Sequence, residues 1–175
     1  MIWLWWAPLL VAVLHIIEEF VYPGGFAAWD RDYRPRIRSS ITPRLHVFIN
    51  VFLLLACISV GLAGMTGGGA EVSAVRIHSL VPPQYAVAAW LTLSALLLSN
   101  AVFHVLGTVR TGLMSPGVCT GVLLYLPLAV FGYWHFLRAG EVSAGTAVLS
   151  VLLGGSYHIW AAMLHSARAR GSEVE

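Results

Sequence analysis

Apolar residues run through this chain in five long blocks, separated by short stretches rich in glycine, proline or arginine. The blocks are Ile2–Tyr22, Leu45–Met65, Tyr85–Val109, Gly117–Leu137 and Ser143–Leu164. Each meets the requirement for a membrane-crossing helix, roughly 20 predominantly apolar residues for a hydrocarbon core about 30 Å thick. Pro23-Gly24-Gly25 is expected to end the first span, Pro82-Pro83 to introduce the third and Pro127 to kink the fourth. Gly67-Gly68-Gly69 reads as a loop tip. The expected fold is all-α, a single bundle of five transmembrane helices over residues 1–166, followed by a short tail over 167–175.

Composition agrees with the pattern. Of 175 residues, 58% are hydrophobic and 10% charged, against about 25% charged in ordinary soluble domains. A water-soluble monomer is thereby excluded. The first span does not read as a signal peptide, because it lacks a basic leading region and carries His15, Glu18 and Glu19. Trp3, Trp5 and Trp6 read as an interfacial aromatic anchor. Cys57 and Cys119 lie in apolar runs, which gives no disulfide framework.

The basic residues are all arginine. Arg31, Arg34, Arg36, Arg38 and Arg44 follow the first span, Arg110 the third, and Arg168 and Arg170 the fifth, while Arg76 and Arg138 fall on the other side. Positive residues concentrate on the cytoplasmic side, so the expected orientation puts the N-terminus outside and the C-terminus in the cytoplasm. The expected setting is a bacterial cytoplasmic membrane. The cluster from Arg31 to Arg44 most simply sets this topology; the sharper alternative is a lid or a contact with anionic lipid headgroups. A net charge of +2 offers no argument for nucleic acid.

Polar groups inside the spans are costly, so their placement is informative. His15, Glu18 and Glu19 stand at i, i+3 and i+4, which puts both carboxylates within reach of the imidazole. His46 and Asn50 lie one turn apart in the second span, Asn100 and His104 in the third, and Tyr157 and His158 in the fifth. Given alternating helix directions, these groups fall in one layer on the cytoplasmic side, with Tyr125 at mid-depth. His165 reads as an interfacial residue, and His78 and His135 as bystanders. Facing helices that supply carboxylates and imidazoles are how carboxylate-bridged metal sites are built. Neutral imidazole with carboxylate suits Fe, Zn or Mn. The plainer roles are a buried ion pair for the Glu/His group and interhelical hydrogen bonds for Asn100 and His104.

His15-Ile16-Ile17-Glu18-Glu19 matches the signature of the HXXEE-motif integral membrane proteins, and Asn100-Ala101-Val102-Phe103-His104 resembles that family's second motif, Asn-x-x-x-His. Pro116-Gly117, Thr120 and Pro127 resemble its Pro-Gly turn and following helix, although Met114 stands where an aromatic residue is expected. The resemblance implies an integral membrane protein, enzymatic in character, and singles out His15, Glu18, Glu19, Asn100 and His104 as catalytic candidates.

The residues themselves support three functional readings. In the first, an intramembrane enzyme holds one or two divalent transition metal ions on His15, Glu18, Glu19, His46, His104 and His158. It acts on a lipophilic small molecule contacted by Asn50, Tyr125 and Tyr157. In the second there is no metal: Glu18 and Glu19 share a proton and act as general acid and base, as isomerisation, epoxide opening or cyclisation would require. The third is a proton-coupled small transporter, against which the apolar outer halves of the spans argue. Membrane lipid is the expected surrounding partner, and a bundle of this size is compatible with a homodimer.

Overall fold

A computed structural model describes residues 2–21, 24–66 and 82–171. Its helices are α1 (Ile2–Val21), α2 (Gly25–Tyr33), α3 (Pro43–Met65), α4 (Gln84–Thr111), α5 (Val118–Arg138), α6 (Ala144–Gly155) and α7 (Tyr157–Gly171). A 3-10 segment, Pro35–Ser40, joins α2 to α3. Five runs are long and apolar enough to cross a membrane: α1, α3, α4, α5, and α6 with α7 together. This is the make-up of an integral membrane protein, and it matches the five expected spans. Gly67–Gly69, Arg76, His78 and Pro23 lie outside the described residues.

The breaks follow local chemistry. Pro83 caps α4, as expected from its missing N–H and extended preference. The fifth span is interrupted at Ser156, directly after the poor helix formers Gly154 and Gly155. The α7 helix continues to Gly171, so most of the expected tail from residue 167 is helical. Ahead of Pro127, α5 widens into a π-helical turn over Gly121–Tyr125. A proline ring crowds the preceding turn and leaves a carbonyl without its amide, and the wider turn is where that irregularity is absorbed.

The axis of the bundle is α4, which packs against α1, α3, α5, α6 and α7. Half of its apolar window is buried, against a third or less in the other runs. Lipid tails give no hydrophobic drive between helices, so close van der Waals fit carries the association. Gly154 of α6 sits so near the Thr92 carbonyl of α4 that a Cβ there would collide with it. Trp90 of α4 lies against Gly132 of α5 and donates to the Leu4 carbonyl of α1 at 2.9 Å. The tryptophans of α1 do not act together as an interfacial anchor. Trp3 is exposed, but Trp5 is buried between Gly64 of α3 and Phe136 of α5, and Trp6 covers Gly61. Glycines on the facing helices leave room for the indoles in the core.

The arginine-rich segment after α1 is folded rather than a loop. Trp29 of α2 rests on Gly107 of α4. Asp30 is buried and paired with Arg34, whose guanidinium also lies 5.1 Å from the centre of the Phe103 ring. Ser40 is bonded to the Nδ1 of His165 at 2.8 Å. His165 is buried among protein side chains and ties the 3-10 segment to α7. These contacts pin α2 and the 3-10 segment across the end of the bundle where the polar side chains meet.

Candidate functional site

The 3.6-residue period puts His15 and Glu19 on one face of α1, His46 and Asn50 on one face of α3, and Asn100 and His104 on one face of α4. Because α1 and α4 contribute their C-terminal halves and α3 its N-terminal half, the three faces meet at one end of the bundle. The focus is the Glu19 carboxylate, 3% exposed. Its Oε1 lies 3.4 Å from His15 Nε2 and 3.4 Å from His104 Nε2, and its Oε2 lies 3.1 Å from His46 Nε2. Asn50 donates to Oε2 at 3.4 Å. Asn100 donates through Nδ2 to His15 Nε2 at 3.0 Å and to His104 Nε2 at 3.3 Å. His15, Glu19 and His104 offer ligand atoms that all lie within 4.8 Å of one another, a group able to hold a metal ion. His46 approaches from the far oxygen.

The outward-facing nitrogens fix the tautomers. Thr120 donates its hydroxyl to Glu18 Oε2 at 2.6 Å, so it accepts from His15 Nδ1 at 2.8 Å. His15 therefore carries its proton on Nδ1 and presents a lone pair at Nε2. His104 follows the same logic: its Nε2 accepts from Asn100, which leaves Nδ1–H to donate to Ser115 Oγ at 2.9 Å. A hydrogen bond on the remote nitrogen is what orients an imidazole toward a metal. Gly117 runs directly beneath both rings, with His15 and His104 edge to face at a centroid distance of 4.9 Å.

Glu18 does not join this cluster. Consecutive helical residues diverge by about 100°, so with Glu19 turned inward Glu18 faces the start of α5. There it accepts from the backbone amides of Cys119 at 3.1 Å and Thr120 at 2.8 Å, satisfying amides that a helix start leaves unpaired. The expected proton-sharing Glu18/Glu19 pair is not formed. The other expected residues divide. Asn50, Asn100, His46, Tyr157 and His158 line a cavity of about 440 Å³ that also touches Glu19. Tyr125 instead packs its ring on His15, 4.5 Å between centroids, and is not among the cavity residues. His158 stands on the cavity wall, stacked on Phe103, outside the group of mutually close ligand atoms. His135 stacks on Phe131, away from the cluster.

The family described as "Protein of unknown function with HXXEE motif" matches residues 5–132. The chain belongs to the HXXEE family. No curated protein and no solved structure matches it. The matched stretch contains every member of the Glu19 cluster and the residues that orient it. Tyr157, His158 and His165 lie beyond it. In this HXXEE protein the two glutamates of the motif thus have different work: Glu19 faces the imidazoles, and Glu18 holds Thr120 and, through it, His15.

That division is testable. Thr120→Val removes the hydroxyl and keeps the shape, leaving His15 Nδ1 without an acceptor. The expected result is a shift of His15 toward the Nε2-protonated tautomer in spectra of nitrogen-15-labelled histidine, with Thr120→Ser restoring the native signal. Unchanged His15 resonances in Thr120→Val would remove the relay.

Proposed function

We propose that this HXXEE protein is a membrane-embedded enzyme that acts on a lipophilic small molecule at a metal centre held by His15, Glu19 and His104. One observation carries the reading: two imidazole lone pairs and a carboxylate oxygen are turned toward one another in a buried site. In this structure Asn100 donates to both nitrogens; a cation bound among the three atoms would take over their lone pairs and also balance the buried carboxylate. The two edges from Glu19 Oε1, 3.4 Å each, suit the ligand spacing of a tetrahedral ion, about 3.4 Å for bonds near 2.1 Å, and all three atoms lie within 4.8 Å of one another. Two imidazoles and a carboxylate fit Fe, Zn or Mn. Such an ion supplies Lewis acidity, toward water, dioxygen or a substrate oxygen.

The chain's own residues do the rest. His46, Asn50 and Asn100 hold the carboxylate and the imidazoles in register, and Thr120 and Ser115 fix the ring orientations. The adjoining cavity includes Phe48 and Phe52, each 59% exposed on the outer face of α3, where lipid tails would lie. That opening favours a substrate that arrives laterally from the bilayer, on the cytoplasmic side if the arginines set the orientation in a bacterial cytoplasmic membrane. A metal-free enzyme built on a Glu18/Glu19 pair draws no support from the geometry, since Glu18 is committed to α5. A proton transporter needs acceptors at several depths, whereas the cluster occupies one end of the bundle.

Elemental analysis of protein purified in mild detergent tests the proposal. A stoichiometric transition metal is expected in the wild type and in Glu18→Gln, and is expected to be lost in His15→Ala and Glu19→Ala. Metal-free wild type that also gives no ligand-field spectrum on titration with Co²⁺ would overturn it.

A further inference from the structure

The cavity beside Glu19 has a permanently charged group on its wall that the metal cluster does not use. Arg34, which follows α2, lines it together with Glu19, Asn100 and Phe103. The guanidinium donates through Nε to Asp30 Oδ1 at 2.6 Å and through Nη2 to Asp30 Oδ2, and it lies 5.1 Å from the centre of the Phe103 ring. The planar fork is thereby held along one edge by a carboxylate and on one face by an aromatic ring. The Asp30 side chain is 3% exposed and that of Arg34 is 23% exposed, so the open side of the pair belongs to the arginine.

A guanidinium carries five N–H donors in one plane and no acceptor. Asp30 takes the edge formed by Nε and Nη2. The hydrogen bonds of Arg34 among the described residues leave Nη1 and the outer N–H of Nη2 uncommitted. That second edge is an end-on fork matched to two oxygens of a carboxylate or phosphate. Its donor character depends on neither pH nor tautomer, because arginine stays protonated.

The rest of the cavity is graded in the same sense. Along α4, Phe103 lies three residues, about 4.5 Å, nearer the α2 end than Asn100, whereas Leu96 and Leu93 lie about 6 and 10 Å further inward. A cavity with a cation at one end and aliphatic walls at the other fits an amphiphile. Its volume of about 440 Å³ lies in the range of small-molecule sites. The exposed Arg36, Arg44 and Arg168 stand at the same end of the bundle and add a positive field there.

We infer that Arg34 is a specificity-determining residue that takes the anionic head of the bound lipophile on its end-on fork, so that the substrate class is a hydrocarbon chain with a carboxylate or phosphate head. The chain then passes Glu19 and Asn100 on its way to Leu96 and Leu93, and the part presented to the metal centre is close to the head. The inference rests on the reading of this cavity as the substrate site, but it concerns binding alone and is tested without metal or turnover.

The test uses the full chain in micelles of a non-ionic detergent, stripped of metal by chelation. Dodecanoate, dodecyl phosphate and dodecan-1-ol are titrated at matched mole fractions. At least one anion is expected to bind about tenfold or more tightly than the alcohol, the worth of one hydrogen bond to a charged group; which anion binds better tells the two head groups apart. Asp30→Asn with Arg34→Gln replaces the ion pair by two neutral amides and is expected to abolish the preference while still binding the alcohol. Arg36→Gln with Arg44→Gln and Arg168→Gln thins the surface charge and is expected to keep it. Equal binding of all three probes to the wild type, a preference that survives the neutral pair, or one lost with the surface arginines overturns the inference. Should the neutral pair fail to fold, the wild type decides. A dodecanoate with a diazirine near its methyl end is expected to label α4 around Leu93 and Leu96, with excess dodecanoate protecting better than dodecan-1-ol. Labelling elsewhere, or equal protection, ends the proposal. Because the protein is metal-free throughout, failure here leaves the metal proposal standing, and the reverse also holds.

Discussion

Gly117→Ala is expected to lower the thermal midpoint substantially and to empty the site of metal, although the substitution adds a single methyl group. Gly117 adopts φ +95, where a side chain is strained, at a cost of roughly 1–2 kcal/mol. The new Cβ would stand 2.6 Å from His15 Cε1 and 3.0 Å from His104 Cε1. Neither ring can retreat. Both are fully buried, His15 against Tyr125 and His104 against Phe26 at 5.2 Å between centroids. Overpacking of this kind costs a further 1–3 kcal/mol, roughly, so the total destabilisation is about 2–5 kcal/mol. Differential scanning of wild type and variant in the same detergent measures it, and elemental analysis reads the metal. A variant with wild-type stability and full metal content would show that the turn does not hold the imidazoles.

The role of Gly117 also shows where a sequence stops being informative. Pairs such as His15 with Glu19 and Asn100 with His104 are legible because helical spacing alone puts them on one face, and the apolar blocks set how many helices carry them. Direction within a pair of neighbours is not legible. Glu18 and Glu19 are both i+3 or i+4 from His15, and only the position of α5, brought in by the Pro116-Gly117 turn, decides which carboxylate turns inward. Ser115 and Thr120 are likewise ordinary residues until that turn sets their hydroxyls beside the two Nδ1 atoms.

The segment over residues 25–40 was obscured for a different reason. Its arginines and aspartates look like a solvated, topology-setting loop, because charge is read as exposure. Asp30 escapes that rule by pairing with Arg34 one turn on, and Trp29 finds a glycine on α4. The pairing and the glycine contact are properties of the folded bundle. His158 illustrates the converse: its residue type marks it as a possible ligand, but the stack on Phe103 assigns it to the cavity wall instead.

Glu19→Gln separates a metal centre from a structural carboxylate. Were Glu19 simply a buried counter-charge for the imidazoles, removing its charge would destabilise the bundle whatever the metal content, because breaking such a pair leaves its partners uncompensated. Were it a ligand, the metal-free wild type would already be the strained form, with a carboxylate pressed against two lone pairs. The amide of glutamine, which donates as well as accepts, would relieve that repulsion. The expected result is therefore asymmetric. A chelator should lower the wild-type midpoint, since an ion present at a hundred times its dissociation constant stabilises by about 2.7 kcal/mol, roughly 5–11 °C for a chain of this size. The same chelator should leave Glu19→Gln unmoved, and the variant should melt no lower than the chelated wild type. Midpoints that fall in Glu19→Gln and ignore the chelator in both proteins would make Glu19 a structural ion-pair partner and remove the metal from the argument.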